Sequence, residues 1–299
     1  AGVGAYTVVF GSYRNTAADL GALIASGSDN FNSGQWAIVT GGIRNNVSDA
    51  KYSTISGGYD NLIVANDESV IGGGHSNTVT GKASLIAGGS FNTVSGDSSV
   101  VGGGYLNVVT DAFITIAGGH RNTVIAAGAA VAGGAHNHLS ASYTVVAGGH
   151  HNNISAADAV ISGGNYNSAG GIKAVIGGGQ HNAANGFAAT VAGGTHNSAV
   201  VSNAVIGGGW KNKVSGTYST VAGGYRNTLD GTGDAIGGGR DHHTDGLCAT
   251  VSGGGSCSAA ADYAAVGGGL SNTADGEKAT VSGGDFNVAS AKAGTIAGG

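Results

Sequence analysis

The chain has no proline, no methionine, two cysteines among 299 residues, 6% aromatic and only 10% charged residues. Each shortage excludes something. Without proline every backbone N–H is available as a donor, which suits a chain in which nearly every segment pairs with a neighbour. Sparse charge with a formal net charge of −5 leaves no basic field for nucleic acid or anionic lipid, so no nucleic-acid partner is expected. No apolar run approaches the roughly 20 residues that span a bilayer, and the N-terminus lacks the charged and apolar parts of a signal peptide. No membrane insertion is expected of this segment. The missing methionine and a last repeat broken off at Gly299 suggest a piece of a longer fibre. Cys248 and Cys257 are compatible with a disulfide or with two small buried side chains, and spacing alone leaves both open.

What is present in excess is glycine, 61 residues, and it is patterned. A Gly-Gly-x-x-Asn signature recurs every 15 residues, placing Asn15, Asn30, Asn45, Asn61, Asn77, Asn92, Asn107, Asn122, Asn137, Asn152, Asn167, Asn182, Asn197, Asn212, Asn227, Asn272 and Asn287 in one register. Only His242 and Cys257 interrupt the Asn column, and only the steps into Asn61 and Asn77 are 16 residues. So short and regular a repeat predicts a solenoid whose units stack because none buries a core alone. We expect an all-β fold: a β-solenoid, or parallel β-roll, of about 20 coils, forming a single repeat domain over residues 1–299. With about 4.8 Å between stacked strands, that is a rod on the order of 95 Å long.

The columns describe a cross-section. Six residues before each register Asn stands a β-branched aliphatic, as in Ile71, Ile86, Val101, Ile116, Val191 and Ile206, the preference of a buried strand position. Ala or Ser mostly lies two residues earlier and Gly two residues later, so one strand face is small, Val/Ile, Gly. Gly-Gly marks a corner or a close backbone approach. The register Asn is expected to hydrogen-bond the corner and its own copies one coil away, a side-chain ladder best developed from Asn92 to Asn227. A second apolar column, Ile63, Val79, Val94, Val109, Val124, Leu139 and Ile154, supplies the opposing wall. The residue just before the first Val/Ile faces outward, yet is often apolar (Val70, Leu85, Val100, Val145, Val175, Val205) or Thr (Thr54, Thr115, Thr190, Thr220, Thr250, Thr280). A strand apolar on both faces is usually covered on both, which predicts a homotrimer.

Stretches such as Ser69-Val-Ile-Gly-Gly-Gly-His-Ser-Asn-Thr-Val-Thr-Gly81 and Ala189-Thr-Val-Ala-Gly-Gly-Thr-His-Asn-Ser-Ala199 resemble the head repeats of trimeric autotransporter adhesins, the YadA-like heads, and the Gly- and Asn-rich repeats of phage and viral tail fibres. The resemblance implies one β-roll coil per repeat, three chains packed through the outer strand face, and residence outside the cell, at a cell surface or on a virion.

Chemistry is sought in the two variable positions between Gly-Gly and Asn. Tyr59, Tyr105, Arg121, His150, His151, Tyr166, Trp210, Tyr225 and Arg226 fall there, and stacking turns them into one ridge. Aromatic faces for sugar rings beside Arg and His for hydroxyls or carboxylates make a multivalent ligand ridge; alternatively this is an outer corner where any bulky side chain fits. His136 with His138, and His242 with His243, raise a minor transition-metal reading, but no supporting carboxylate pattern accompanies them and no metal or cofactor is expected. There is no paired carboxylate register, nucleophile elbow, phosphate loop or Cys/His framework, so no enzymatic activity is expected. The leading expectation is an extracellular fibre or adhesin shaft whose partners are copies of itself and cell-surface glycans or receptors. The alternative is a self-assembling filament or tail-fibre component without receptor binding. A lesser one, from the 30-residue spacing of Thr190, Thr220, Thr250 and Thr280, is an ice-binding solenoid.

Overall fold

The structure, a computed structural model, describes residues 4–11 and 13–299. It falls into two compact units, residues 1–150 and 151–299. Each is a parallel β-solenoid of about 15 residues per coil, and the chain makes about 19 turns with no helix among the described residues.

Every coil contributes two strands of two or three residues, one to each of two sheets. Sheet 1 is built on the Val/Ile column before Gly-Gly. In the first unit Leu85 and Ile86 pair in parallel with Val70 and Ile71 on one side and with Val100 and Val101 on the other; in the second, Val205 and Ile206 pair with Thr220 and Val221. Sheet 2 follows the register Asn. There Thr93 and Val94 pair with Thr78 and Val79 on one side and with Val108 and Val109 on the other.

The core lies between the two sheets. Ile71, Ile86, Val101 and Ile116 from sheet 1 meet Ile63, Val79, Val94 and Val109 from sheet 2, all fully buried. The small column two residues before the sheet 1 aliphatic is buried as well, and where it is Ser it forms a hydroxyl ladder. The N–H of Ser84 donates to Ser69 Oγ at 3.3 Å, that of Ser99 to Ser84 Oγ at 3.1 Å, and that of Ile114 to Ser99 Oγ at 3.0 Å. The two 16-residue coils keep sheet 1 in register, Ile38 with Thr54 and Thr54 with Val70, because the extra residue is absorbed at the corner after sheet 2. There Asp49 and Tyr52 both take left-handed backbone and Ala50 is buried.

The Gly-Gly corner has a steric cause. Gly104 sits at φ 93°, and a Cβ added there would run into the carbonyl of Gly119 in the next coil. The register Asn then fixes the corner. In Asn107 the backbone N–H donates to Asn92 Oδ1 at 3.0 Å, while Nδ2 donates to the carbonyls of Gly103 and Gly119, each at 3.0 Å. One residue therefore joins three coils, its bond to Asn92 buried and its bonds to the two glycine carbonyls part-buried.

Candidate functional site

Of the two residues between Gly-Gly and Asn, the first forms an isolated parallel bridge to its copies, as in Tyr59 to His75 and Trp210 to Tyr225. The second takes left-handed backbone, as in Phe91, Arg121, His136, His151, Tyr166 and Arg226. Both positions project from the corner, and their rings line up along it. In the first unit the series Tyr59, His75, Phe91, Tyr105, His120, His136 runs with centroid separations of 4.9 to 5.7 Å. In the second, His151, Tyr166, His181 and His196 are stacked at 4.6 to 5.0 Å, and Trp210 stacks on Tyr225 at 4.7 Å.

This arrangement changes what the ridge can do. In the second unit the stacked rings offer their faces to one another, whereas a sugar platform needs open faces; in the first unit the rings meet tilted or edge to face. Cations cover further faces: Arg44 lies 4.5 Å from the Tyr59 centroid and Lys211 4.1 Å from that of Trp210. Arg226 pairs with Asp241 at 3.2 Å. Arg121 and His150 stand on the same ridge, exposed.

The histidine pairs do not converge. His136 packs on His120 at the corner, while His138 lies on the outward side of sheet 2. His242 is buried in the Asn column, where its backbone N–H donates to Asn227 Oδ1 at 3.0 Å and its Nδ1 accepts from the Cys257 N–H at 3.1 Å. His243 points outward, 3.8 Å from Asp230. Burial holds the His242 imidazole below its ordinary pKa. The two cysteines are unbonded, Cys248 exposed and Cys257 buried.

One coil edge away, Asp234 occupies the small buried column. Its Oδ1 accepts from the Ala249 N–H at 2.8 Å, and burial raises its pKa.

The outward face of sheet 2 holds the residues that sequence reasoning passed over. On either side of the buried Val79, Val94, Val109 and Val124 stand Thr78 and Thr80, Thr93 and Ser95, Val108 and Thr110, Thr123 and Ile125. Thr78 and Thr93 are direct partners, as are Val108 and Thr123. The residues therefore form two outward columns across four successive coils, about 4.8 Å apart from coil to coil and about 6.7 Å apart along the strand. The signal was available: these residues flank the second apolar column as the noted threonines flank the first. On sheet 1 of the second unit the threonines alternate with Val205, Ala235 and Ala265, so hydroxyls recur only every second coil.

Comparison with known proteins bears on this face. No curated protein matches the chain. Residues 50–148 match the family described as grass antifreeze beta roll, about a third of the sequence. This match overturns the resemblance to YadA-like heads and tail-fibre repeats. The reason is physical: Val/Ile, Gly-Gly and Asn answer the general demands of a tight β-roll, so they recur in rolls of different purpose. The stretch matched, which contains the Thr-rich face of sheet 2, is similar to an antifreeze roll.

Proposed function

We propose that the chain binds ice through the outward face of sheet 2 in its first unit. The observation that carries this reading is the double column of Thr78, Thr80, Thr93, Ser95, Thr110 and Thr123 on successive coils in strict register. A threonine offers a hydroxyl that fixes a water molecule and a methyl group that orders water around it. Repeated at strand spacing on a rigid support, such side chains arrange water in rows whose separations are close to oxygen repeats in hexagonal ice. The backbone ladders and the buried Asn column supply that support, so little ordering entropy remains to be lost on contact. From Leu62 to Ser140 this face carries no Asp, Glu, Lys or Arg, whose hydration would disturb the lattice.

The family match over residues 50–148 supports the same reading, and it ranks ice contact above the adhesin shaft and the receptor-free filament. Ice contact also favours work outside the cell, where crystals meet the protein. Thermal hysteresis and ice-recrystallisation assays test it. Activity in the parent chain, and its loss in Thr93→Lys with an unchanged circular-dichroism spectrum, are the expected results. An inactive parent, or a fully active Thr93→Lys variant, overturns the assignment.

A further inference from the structure

Two Asn-x-Ser sequences occur in the chain, Asn46-Val47-Ser48 and Asn153-Ile154-Ser155. The repeat itself explains why they stand where they do. A register Asn cannot head such a triplet where the position two residues later is the apolar inward column of sheet 2, Val94 after Asn92 for example. Its amide is also buried and bonded within the ladder. An Asn one position later faces outward, and the residue two beyond it faces outward too. Asn46 and Asn153 are such residues, each half-exposed at the start of a sheet 2 strand.

Asn46 has a second feature. Its Oδ1 is buried without a hydrogen-bond partner, although the residue as a whole is half-exposed, so its amide is not held in the Asn ladder. Beside it lies a groove of about 330 Å³ lined by Arg44, Asp60, Leu62, Ser76 and Thr78. The Arg44–Asp60 pair at 3.4 Å lines the groove, and the open space leaves room beside Asn46 for a covalently attached sugar.

From this geometry we infer that Asn46 and Asn153, on coils that flank the Thr-rich stretch of sheet 2, are N-glycosylation acceptors. The transfer joins Asn46 Nδ2 to the anomeric carbon of the reducing-end sugar and breaks the bond from that carbon to the pyrophosphate of a lipid-linked oligosaccharide donor. The amide proton is released and the lipid pyrophosphate leaves. The modification is compatible with the fold because the acceptors point away from the core.

The test is expression of the full chain behind a cleavable secretion leader in a eukaryotic secretory host, with intact mass measured before and after treatment with a peptide N-glycosidase. Two enzyme-sensitive glycans are expected, with deamidation at positions 46 and 153. Ser48→Ala removes the first and Ser155→Ala the second. A secreted chain at its unmodified mass, or glycans that persist in the Ser48→Ala/Ser155→Ala double variant, overturns the inference. The readout does not depend on ice binding.

Discussion

At the scale of the residue, the fold relies on backbone conformations that most side chains avoid. Left-handed backbone recurs at non-glycine residues along both units, including Ala83 at φ 52°. Such a conformation costs an L-residue roughly 1–2 kcal/mol. Because Ala83 is exposed and contributes little packing, Ala83→Gly is expected to stabilise the chain by up to about 1 kcal/mol, read as a higher urea midpoint. The register Asn has the opposite character. Asn107→Ala removes the Nδ2 donor from the part-buried carbonyls of Gly103 and Gly119, the second of which keeps the Tyr105 N–H, and leaves the buried N–H of Asn122 without its partner. A loss of about 1–3 kcal/mol is expected from that one buried orphan group, measured by the same denaturation.

Two residues give the stability a pH dependence. Asp234 has a folded pKa raised by burial, so its favourable contribution is present below the ordinary carboxylate range and is lost as pH rises through the folded value. His242 has a folded pKa lowered by burial, so its contribution is present above the ordinary imidazole range and is lost as pH falls through the folded value. Asp234→Asn is therefore expected to gain more, relative to the parent, at pH 7 than at pH 3. His242→Asn, which restores the column, is expected to gain more at pH 5 than at pH 8. Denaturant midpoints across pH check both, and a constant difference at all pH values contradicts the assignment.

At the scale of the element, two-residue strands are too short to be stable alone and persist because successive coils pair on both sides. The alternation of Gly207 and Gly237 with Ala222 and Ser252 has a local cause: a Cβ at Gly207 would meet the Ala222 carbonyl. It does not mark a wider coil of 30 residues, because sheet pairing runs from each coil to the next. Much of this was legible in sequence. The Val/Ile columns, the Asn ladder and the glycine corners each follow from a residue type at a fixed spacing. The ring ladder was not, since only the structure shows that Phe91 at one gap position meets His75 and Tyr105 at the other.

At the scale of the whole molecule, the units differ in what sheet 2 displays. The second unit places Lys213, Asp230, Asp245 and Asp275 along its outward columns, whereas the four Thr-rich coils of the first present hydroxyl and aliphatic groups. Thr93→Lys is therefore expected to abolish ice-recrystallisation inhibition and Thr228→Lys to leave most of it intact, compared at equal protein concentration. Equal losses contradict the placement of the face in the first unit. A solenoid also limits how far a defect spreads. Hydrogen exchange in Asp234→Asn is expected to change chiefly in the coils around residues 219–259.

The sequence by itself determined the all-β class, the 15-residue coil, the buried aliphatic columns and the Asn ladder, because a repeated coil places each residue type in one recurring environment. The expected trimer rested on apolar residues that face outward and on the adhesin resemblance, and the family match removes the second support. Only the tertiary structure decided which outward columns stand side by side. The second strand of each coil is separated from the first by a corner whose path depends on left-handed backbone and on the Asn amide, so the paired threonine columns of sheet 2 emerge only when the coils are stacked.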